Sequence, residues 1–254
     1  MPKISGVIIT YNEELYIDKC LASLRGVADE IVVVDSLSTD STEKICENYN
    51  VRFIKHKFEG LTEQKSFATS QAKFDYVLSL DADEALSDEL KSSILEIKDN
   101  LESDGYYFYR KNNYCGKWLK RICLFPDRHL RLFKVSAGKW KGPNPHDRFY
   151  LNKGTKSQRL RGYLLHWNYA TIEEHMDRMN LYSTVSADEL FRAGEKTGPC
   201  KGTLHLLWRF FRSYFPEGGF LNGHNGLIFC AIMAWSSFLK YSKLRNLNSA
   251  NGKL

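Results

Sequence analysis

Residues 76–84 read YVLSLDADE, and the nature of the sheet follows from them. Residues 76–80 form a short apolar run of strand type that ends abruptly in Asp81, Ala82, Asp83 and Glu84. Carboxylates that close a buried strand sit at the carboxyl edge of a sheet, where open α/β sheets bind ligands. In Asp-x-Asp both side chains can reach one hard cation from a tight turn. The same letters also read as strand, turn and helix start, with Ser87 capping a helix and Asp88 and Glu89 in its first turn. The neighbouring elements bear on the choice.

Upstream, residues 4–10 are a buried strand candidate followed by Tyr11-Asn12-Glu13-Glu14. Asn12 is a good N-cap for a helix with Leu15, Leu21 and Leu24 inward. Residues 30–34 are a second strand, rich in valine as parallel strands buried on both faces tend to be. It ends in the polar turn Asp35-Ser36-Leu37-Ser38-Thr39-Asp40, which also caps a helix running to residue 49. A third strand covers 51–55, and a helix over 61–73 carries Gln64 and Lys65. Strand and helix alternate, so the first hundred or so residues read as a Rossmann-like parallel sheet. No GxGxxG or GxxxxGK[ST] occurs in this half, which disfavours a dinucleotide fingerprint or a P-loop. Three of the four strands end in polar residues: Thr10-Tyr11-Asn12, Asp35-Ser36 and Asp81-Ala82-Asp83. In a parallel sheet these ends lie on one edge and converge on one crevice.

After a helix over 88–102 the pattern changes. Residues 105–110 (GYYFYR), 129–134 (HLRLFK) and 161–167 read as strands of a smaller, mixed region. Between the first two, residues 114–126 are irregular, aromatic and basic, suited to a loop over substrate. Residues 139–148 (KWKGPNPHDR) form a loop with two prolines followed by His-Asp. A helix over 171–192 precedes a Gly/Pro break at 195–202. From 201 to 245 the tail has six Lys or Arg and one acid, Glu217. Leu204, Leu207, Trp208, Phe211 and Phe215 recur there at helical spacing. This is either a basic amphipathic helix for a membrane surface or a stripe that packs on the rest of the chain. A second apolar helix is expected over 227–239. Three regions result: 1–102, a Rossmann-like half; 103–195, a smaller mixed half; and 196–254, a basic helical tail.

With 43% hydrophobic and 26% charged residues among 254, the chain is globular. A formal charge of +6 favours an anionic partner: nucleotide phosphates, an anionic membrane face or nucleic acid. The six cysteines are scattered without a CxxC, which argues against a zinc site and a disulfide framework and fits a cytosolic compartment. The opening apolar run is too short for a signal peptide. The run 227–235 is too short to span a bilayer, which needs roughly 20 residues.

IITYNEE (8–14), IVVVDSLSTDST (31–42), EQKSFATSQA (63–72) and YVLSLDADEAL (76–86) together resemble a family 2 glycosyltransferase of the GT-A fold. HLRLFK (129–134), NPHDRFYL (144–151), LLHWNYAT (164–171) and FFRSYFPEGGFLNGHNGL (210–227) resemble the bacterial lipopolysaccharide-core glucosyltransferase branch. The resemblance implies a GT-A fold: a Rossmann-like, mostly parallel α/β sheet flanked by helices, a smaller mixed-sheet acceptor region and a helical tail. It implies a UDP-sugar donor, Mg²⁺ or Mn²⁺, inversion at the anomeric carbon, and glucose passed to a saccharide or glycolipid acceptor. By motif match, Thr10, Tyr11 and Glu13 hold the nucleoside, and Asp35 and Ser36 lie at base and ribose. Ser36 stands where many members have a second Asp. Lys65 matches a basic residue near the phosphates, and Ser66 stands where the branch usually has Asn. Asp81 and Asp83 match the metal and diphosphate motif. His146-Asp147 matches a His-Glu pair, with a carboxylate one methylene shorter.

Sugar transfer from a nucleoside diphosphate needs the leaving diphosphate neutralised and the acceptor hydroxyl deprotonated. A cation on Asp83, with Asp81 nearby, serves the first. Asp147 is assigned as the base, with Glu84 the alternative or a brace for the turn. His146 ligates metal, touches diphosphate or braces its loop. His166 and Arg131 are further diphosphate candidates. Trp140, Trp118 and Tyr114 either stack on acceptor sugar or sit in the core. The expected site is the cytoplasmic face of the inner membrane, with the tail in peripheral contact. The competing class is a nucleotide-sugar or glycan-binding protein without catalysis. Nucleic acid is not expected as a partner, for want of a recognition motif.

Overall fold

The computed structural model describes residues 2–120, 127–142 and 147–250. The chain runs β1 (Ile4–Thr10), α1 (Ile17–Leu24), β2 (Glu30–Asp35), α2 (Thr42–Cys46), β3 (Arg52–Lys55), α3 (Leu61–Ser70) and β4 (Tyr76–Asp81). It continues through β5 (Glu84–Leu86), α4 (Asp88–Lys98), β6 (Gly105–Tyr114), β7 (Lys117–Trp118), β8 (Asp127–Lys134), β9 (Gly138–Lys141), β10 (Arg148–Leu151) and β11 (Ser157–Tyr169). Three helices close it: α5 (Ile172–Arg192), α6 (Lys201–Tyr214) and α7 (Gly223–Ala250).

The main sheet has the order β3-β2-β1-β4-β8-β6-β11-β5, with β7 attached to β6; β9 and β10 form a separate ribbon. The strands β1 to β4 are parallel, with Thr10 beside Asp35 and Ile9 beside Asp81. This register brings the three polar strand ends to one edge. From β8 onward the sheet is mixed: β8 runs antiparallel to β4 and to β6, and β5 antiparallel to β11. The doubly buried valines Val32, Val33 and Val34 are fully shielded, as helices on both faces require.

Two compact units emerge. The first holds residues 1–111 and 127–167, and the second holds 112–126 and 168–254. The first is built on Ile4, Ile8, Leu21, Leu24, Leu78 and Leu80 on one side of the sheet. Val7, Val32, Val34, Phe133, Trp140 and Phe149 make the core on the other. The second is built on Tyr114, Tyr169, Met179, Phe229 and Cys230, with α7 packed against both α5 and α6.

Several boundaries differ from expectation. Asn12 does not cap α1: it sits at φ +51, and Tyr16 is the N-cap residue. Its side-chain oxygen instead accepts from Thr39 N at 2.8 Å. Leu15 therefore precedes the helix and is 66% exposed rather than inward. The helix after the second strand stops at Cys46, and the one after the Asp-x-Asp turn stops at Lys98. Ser87 does cap that helix, accepting from Leu90 N at 3.2 Å. The strand β5 follows Asp83 at once, a pairing that needs β11 and so has no local signal. Gly162 on β11 has φ +88, and any Cβ there would overlap the backbone nitrogen of Leu90, so α4 seats directly on glycine. The last apolar run belongs to a much longer helix. By length and composition alone, Gly219–Ala250 is able to cross a membrane, with 22% of its most apolar window buried.

Candidate active site

The parallel strands deliver their ends to one crevice, and their loops are latched together. Asn12 N donates to Ser38 Oγ at 2.8 Å, Glu13 N to Thr42 Oγ1 at 2.9 Å and Glu14 N to Asp40 Oδ2 at 3.0 Å. Asp35, 1% exposed, accepts from Ser38 N at 2.9 Å and Ser38 Oγ at 2.5 Å. Ser36 accepts from Gln64 Nε2 at 3.0 Å, so its hydroxyl braces α3. Thr10 Oγ1 is buried with no hydrogen-bond partner among the described residues. A hydroxyl left that way is costly, and a ligand at the strand end would satisfy it. Tyr11 is 58% exposed at the same edge, a free ring able to lie over a base.

Beyond Asp81 the site becomes a charged lattice. Lys65 Nζ lies 3.0 Å from Asp81 Oδ1 and 2.9 Å from Asp147 Oδ2. Arg131 Nη2 lies 2.8 Å from both Asp81 Oδ2 and Glu84 Oε1. Arg110 reaches Glu84 at 3.5 Å and Asp127 at 2.8 Å, and Asp127 also holds His129 at 2.9 Å. Asp83 Oδ2 lies 3.2 Å from His166 Nε2. The turn that joins the two aspartates is held by Glu84, whose Oε2 accepts from Asp81 N at 3.1 Å. Fully buried and paired on both oxygens, Glu84 braces the turn.

Titration follows from these contacts. Burial pushes the Asp81 carboxyl up, but Arg131 and Lys65 outweigh it and hold the group well below the usual carboxylate range. For Asp83 burial again opposes, and His166 wins. Burial likewise opposes at Asp127, which His129 and Arg110 hold low. Burial pulls His129 down despite its bond to Asp127.

Arg131 owes its position to an irregularity. Tyr106 pairs with Leu132 and Tyr107 with Leu130, which leaves Arg131 as the extra residue of a β-bulge. A bulge re-aims a side chain, and here it turns a guanidinium on a buried strand toward Asp81 and Glu84.

The lattice bears on metal. Three fixed cations, Lys65, Arg110 and Arg131, face five carboxylates, Asp81, Asp83, Glu84, Asp127 and Asp147. No group of three or more His, Cys, Asp or Glu side chains that could hold a metal occurs among the described residues. Asp83 and His166, in contact at 3.2 Å, are a pair able to hold an ion once a bound ligand and water supply the remaining donors. The excess of formal negative charge fits a divalent cation there.

A cavity of about 320 Å³ opens beside Asp147, lined among others by Arg128, His129, Arg131, Trp140 and Arg148. The residues brought together are thus Lys65, Asp81 and Asp147, with Asp83 on His166. His146 lies outside the described residues. Sequence reasoning missed Arg110 and the Asp127–His129 pair; the available signals were an arginine closing the aromatic run GYYFYR (105–110) and an Asp two residues before the His that opens HLRLFK (129–134). Tyr114 belongs to the core of the second unit, 1% exposed. Trp140 is buried, with Nε1 donating to Thr69 Oγ1 at 3.0 Å.

Residues 5–161 match the family described as Glycosyl transferase family 2. An uncharacterized glycosyltransferase of Rickettsia typhi is 32% identical over 98% of this chain and 88% of its own length. The lipopolysaccharide core biosynthesis glycosyltransferase LpsC of Rhizobium meliloti is 30% identical over 96% of this chain and 93% of its own. Among solved structures, TarS of S. aureus in complex with UDP is 18% identical, covering 98% of this chain and 92% of that one at a TM-score of 0.48.

Proposed function

The chain belongs to glycosyl transferase family 2, and from that premise we propose that it is an inverting hexosyltransferase using a UDP-sugar, with a saccharide of lipopolysaccharide core or another lipid-linked glycan as acceptor. The observation that carries this reading is the contact of Lys65 with both Asp81 and Asp147, which joins the Asp-x-Asp turn to a second carboxylate across the crevice. The printed role of the Rhizobium meliloti relative supports the class of acceptor.

In this reading Thr10, Tyr11 and Glu13 meet the nucleoside, with Asp35 and Ser36 fixing the edge on which it lies. The buried Thr10 hydroxyl supplies a contact the protein leaves open. Lys65 and Arg131 stand at the diphosphate. They are held by Asp81, so they meet the developing charge without reorganising. A Mg²⁺ or Mn²⁺ ion on Asp83 and His166 would act as a Lewis acid on the leaving group. Asp147 takes the proton of the attacking hydroxyl from the cavity side, with His146 beside it in sequence. The acceptor oxygen attacks the anomeric carbon from the face opposite the diphosphate as its proton passes to Asp147 and the bond to the diphosphate breaks, which gives inversion.

The tail supplies peripheral contact with the cytoplasmic face of the inner membrane. The α6 stripe Leu204, Leu207, Trp208, Phe211 and Phe215 is 52–64% exposed, while the residues α6 buries are Gly202 and Ser213. An apolar stripe turned outward on a basic helix suits a headgroup boundary.

Thermal unfolding with UDP, with and without Mn²⁺, tests the reading. A metal-dependent rise that Asp83→Ala abolishes is expected; a ligand at a hundredfold excess over its Kd adds about 2.7 kcal/mol. No shift with any nucleotide would overturn it.

A further inference from the structure

We propose that the cavity beside Asp147 is a subsite for an anionic group, a phosphate or a carboxylate, carried by the acceptor saccharide and held by Arg128 and Arg148. Calling the ligand an acceptor rests on the transferase reading; the anion site itself stands on the cavity. The lining brings three arginines together. Arg131 is neutralised by Asp81 and Glu84, and Asp147 is matched by Lys65. Arg128 and Arg148 are left over. Among the described residues neither has a carboxylate within ion-pair distance, and both are exposed at the mouth.

Four further observations favour an anion over a neutral sugar. Arg148 on β10 stands directly opposite Lys141 on β9, and like charges facing across a two-stranded ribbon repel. An anion bound at Arg148 from the cavity side offsets that cost. Arg128 is not loose: its guanidinium lies 3.3 Å from the centroid of the Tyr107 ring, which presents the fork for bidentate binding. The Nε of Arg131 is buried without a hydrogen-bond partner among the described residues, on a side chain 5% exposed that lines the cavity. His129 is held by Asp127, and burial keeps it toward the neutral form, so it adds a hydrogen-bonding ring without competing charge.

The cavity shares only Arg131 with the proposed diphosphate position, and there Nη2 is held by Asp81 and Glu84 while Nε is left to the subsite. The lining comes from β8, β9, β10 and the residue before β10, whereas none of Thr10, Asp35, Ser36 or Asp83 contributes. Trp140 and Phe149 give the cavity an aromatic wall that suits the apolar face of a sugar ring. The carboxylate of Asp147 at the same wall then faces a hydroxyl of the sugar whose anion is clamped by the arginines.

The test is isothermal titration of the whole chain with glucose 6-phosphate and with glucose, alongside UDP. Glucose 6-phosphate is expected to bind about tenfold or more tightly than glucose, and Arg148→Gln and Arg128→Gln each to weaken it about tenfold. Both residues are exposed, so folding is retained, and UDP affinity is expected within about twofold of wild type. Equal affinity for the two sugars, no binding of glucose 6-phosphate, or a loss of UDP affinity instead would overturn the proposal, the last by assigning the arginines to the donor. Arginine-dependent binding of glucose 6-phosphate without any binding of UDP would support the anion site while removing the donor reading.

Discussion

Arg131 holds two carboxylates at once, the partly exposed Asp81 and the fully buried Glu84, each at 2.8 Å. Removing one partner from such a pair leaves uncompensated charge in a low-dielectric site, which costs roughly 3–5 kcal/mol. Arg131→Met is therefore expected to lose about that much in urea unfolding; a loss below about 1 kcal/mol would mean the lattice relaxes around the gap. This residue also marks where sequence reading stopped. Asp81, Asp83 and Lys65 were legible because strand ends and helix faces are local patterns. Arg131 was legible only as a minor candidate, since the bulge that re-aims it depends on the register of β6 against β8. Glu84 left two roles open in sequence, and the choice needed a backbone contact to Asp81 N that no spacing predicts.

The element most at odds with a buried-core interpretation is α6. Helical spacing identified its apolar stripe, and periodicity says nothing about which way a stripe faces. The structure turns it outward, because Gly202 and Ser213 are the small residues that let α6 approach its neighbour: a Cβ on Gly202 would meet Phe238 at 3.3 Å. If this stripe docks at an anionic bilayer, the double change Trp208→Glu and Phe211→Glu removes binding to phosphatidylglycerol vesicles in flotation. The same variant keeps its donor turnover on a water-soluble acceptor. Unchanged flotation would assign the stripe to another partner. The alternating β and α elements of the first unit were legible through valine runs and polar turns. The capping of α1 was not, because Asn12 is consumed by the Thr39 amide and adopts a left-handed backbone.

Across the whole molecule, acid is expected to loosen the fold before it protonates the Asp-x-Asp turn. His175 is fully buried in the second unit, stacked on Tyr169 at 4.1 Å, and burial, with Arg178, pulls it down to about 4. A folded value below the unfolded value of about 6.5 means the neutral ring is favoured by folding. That stability is present above about pH 6.5 and is lost as pH falls toward 4, by about 3 kcal/mol for this one group. His129, also lowered by burial, adds to the same window. His175→Phe is expected to flatten the decline in unfolding free energy between pH 6.5 and 4, and an unchanged slope would show that other groups govern it. At this scale the sequence revealed the family through motifs spread along most of the chain. It could not reveal the two-unit division, which cuts through β6 and β11 and so has no linker to read. The most direct test of the account is the product itself: UDP-glucose with Mn²⁺ and a core-oligosaccharide acceptor, followed by NMR of the new linkage for wild type, Asp147→Asn and Asp83→Asn. The account predicts a β-linked product, about a hundredfold or greater loss of kcat in Asp147→Asn with UDP affinity retained, and loss of both in Asp83→Asn. An α-linked product, or full activity in Asp147→Asn, would contradict it.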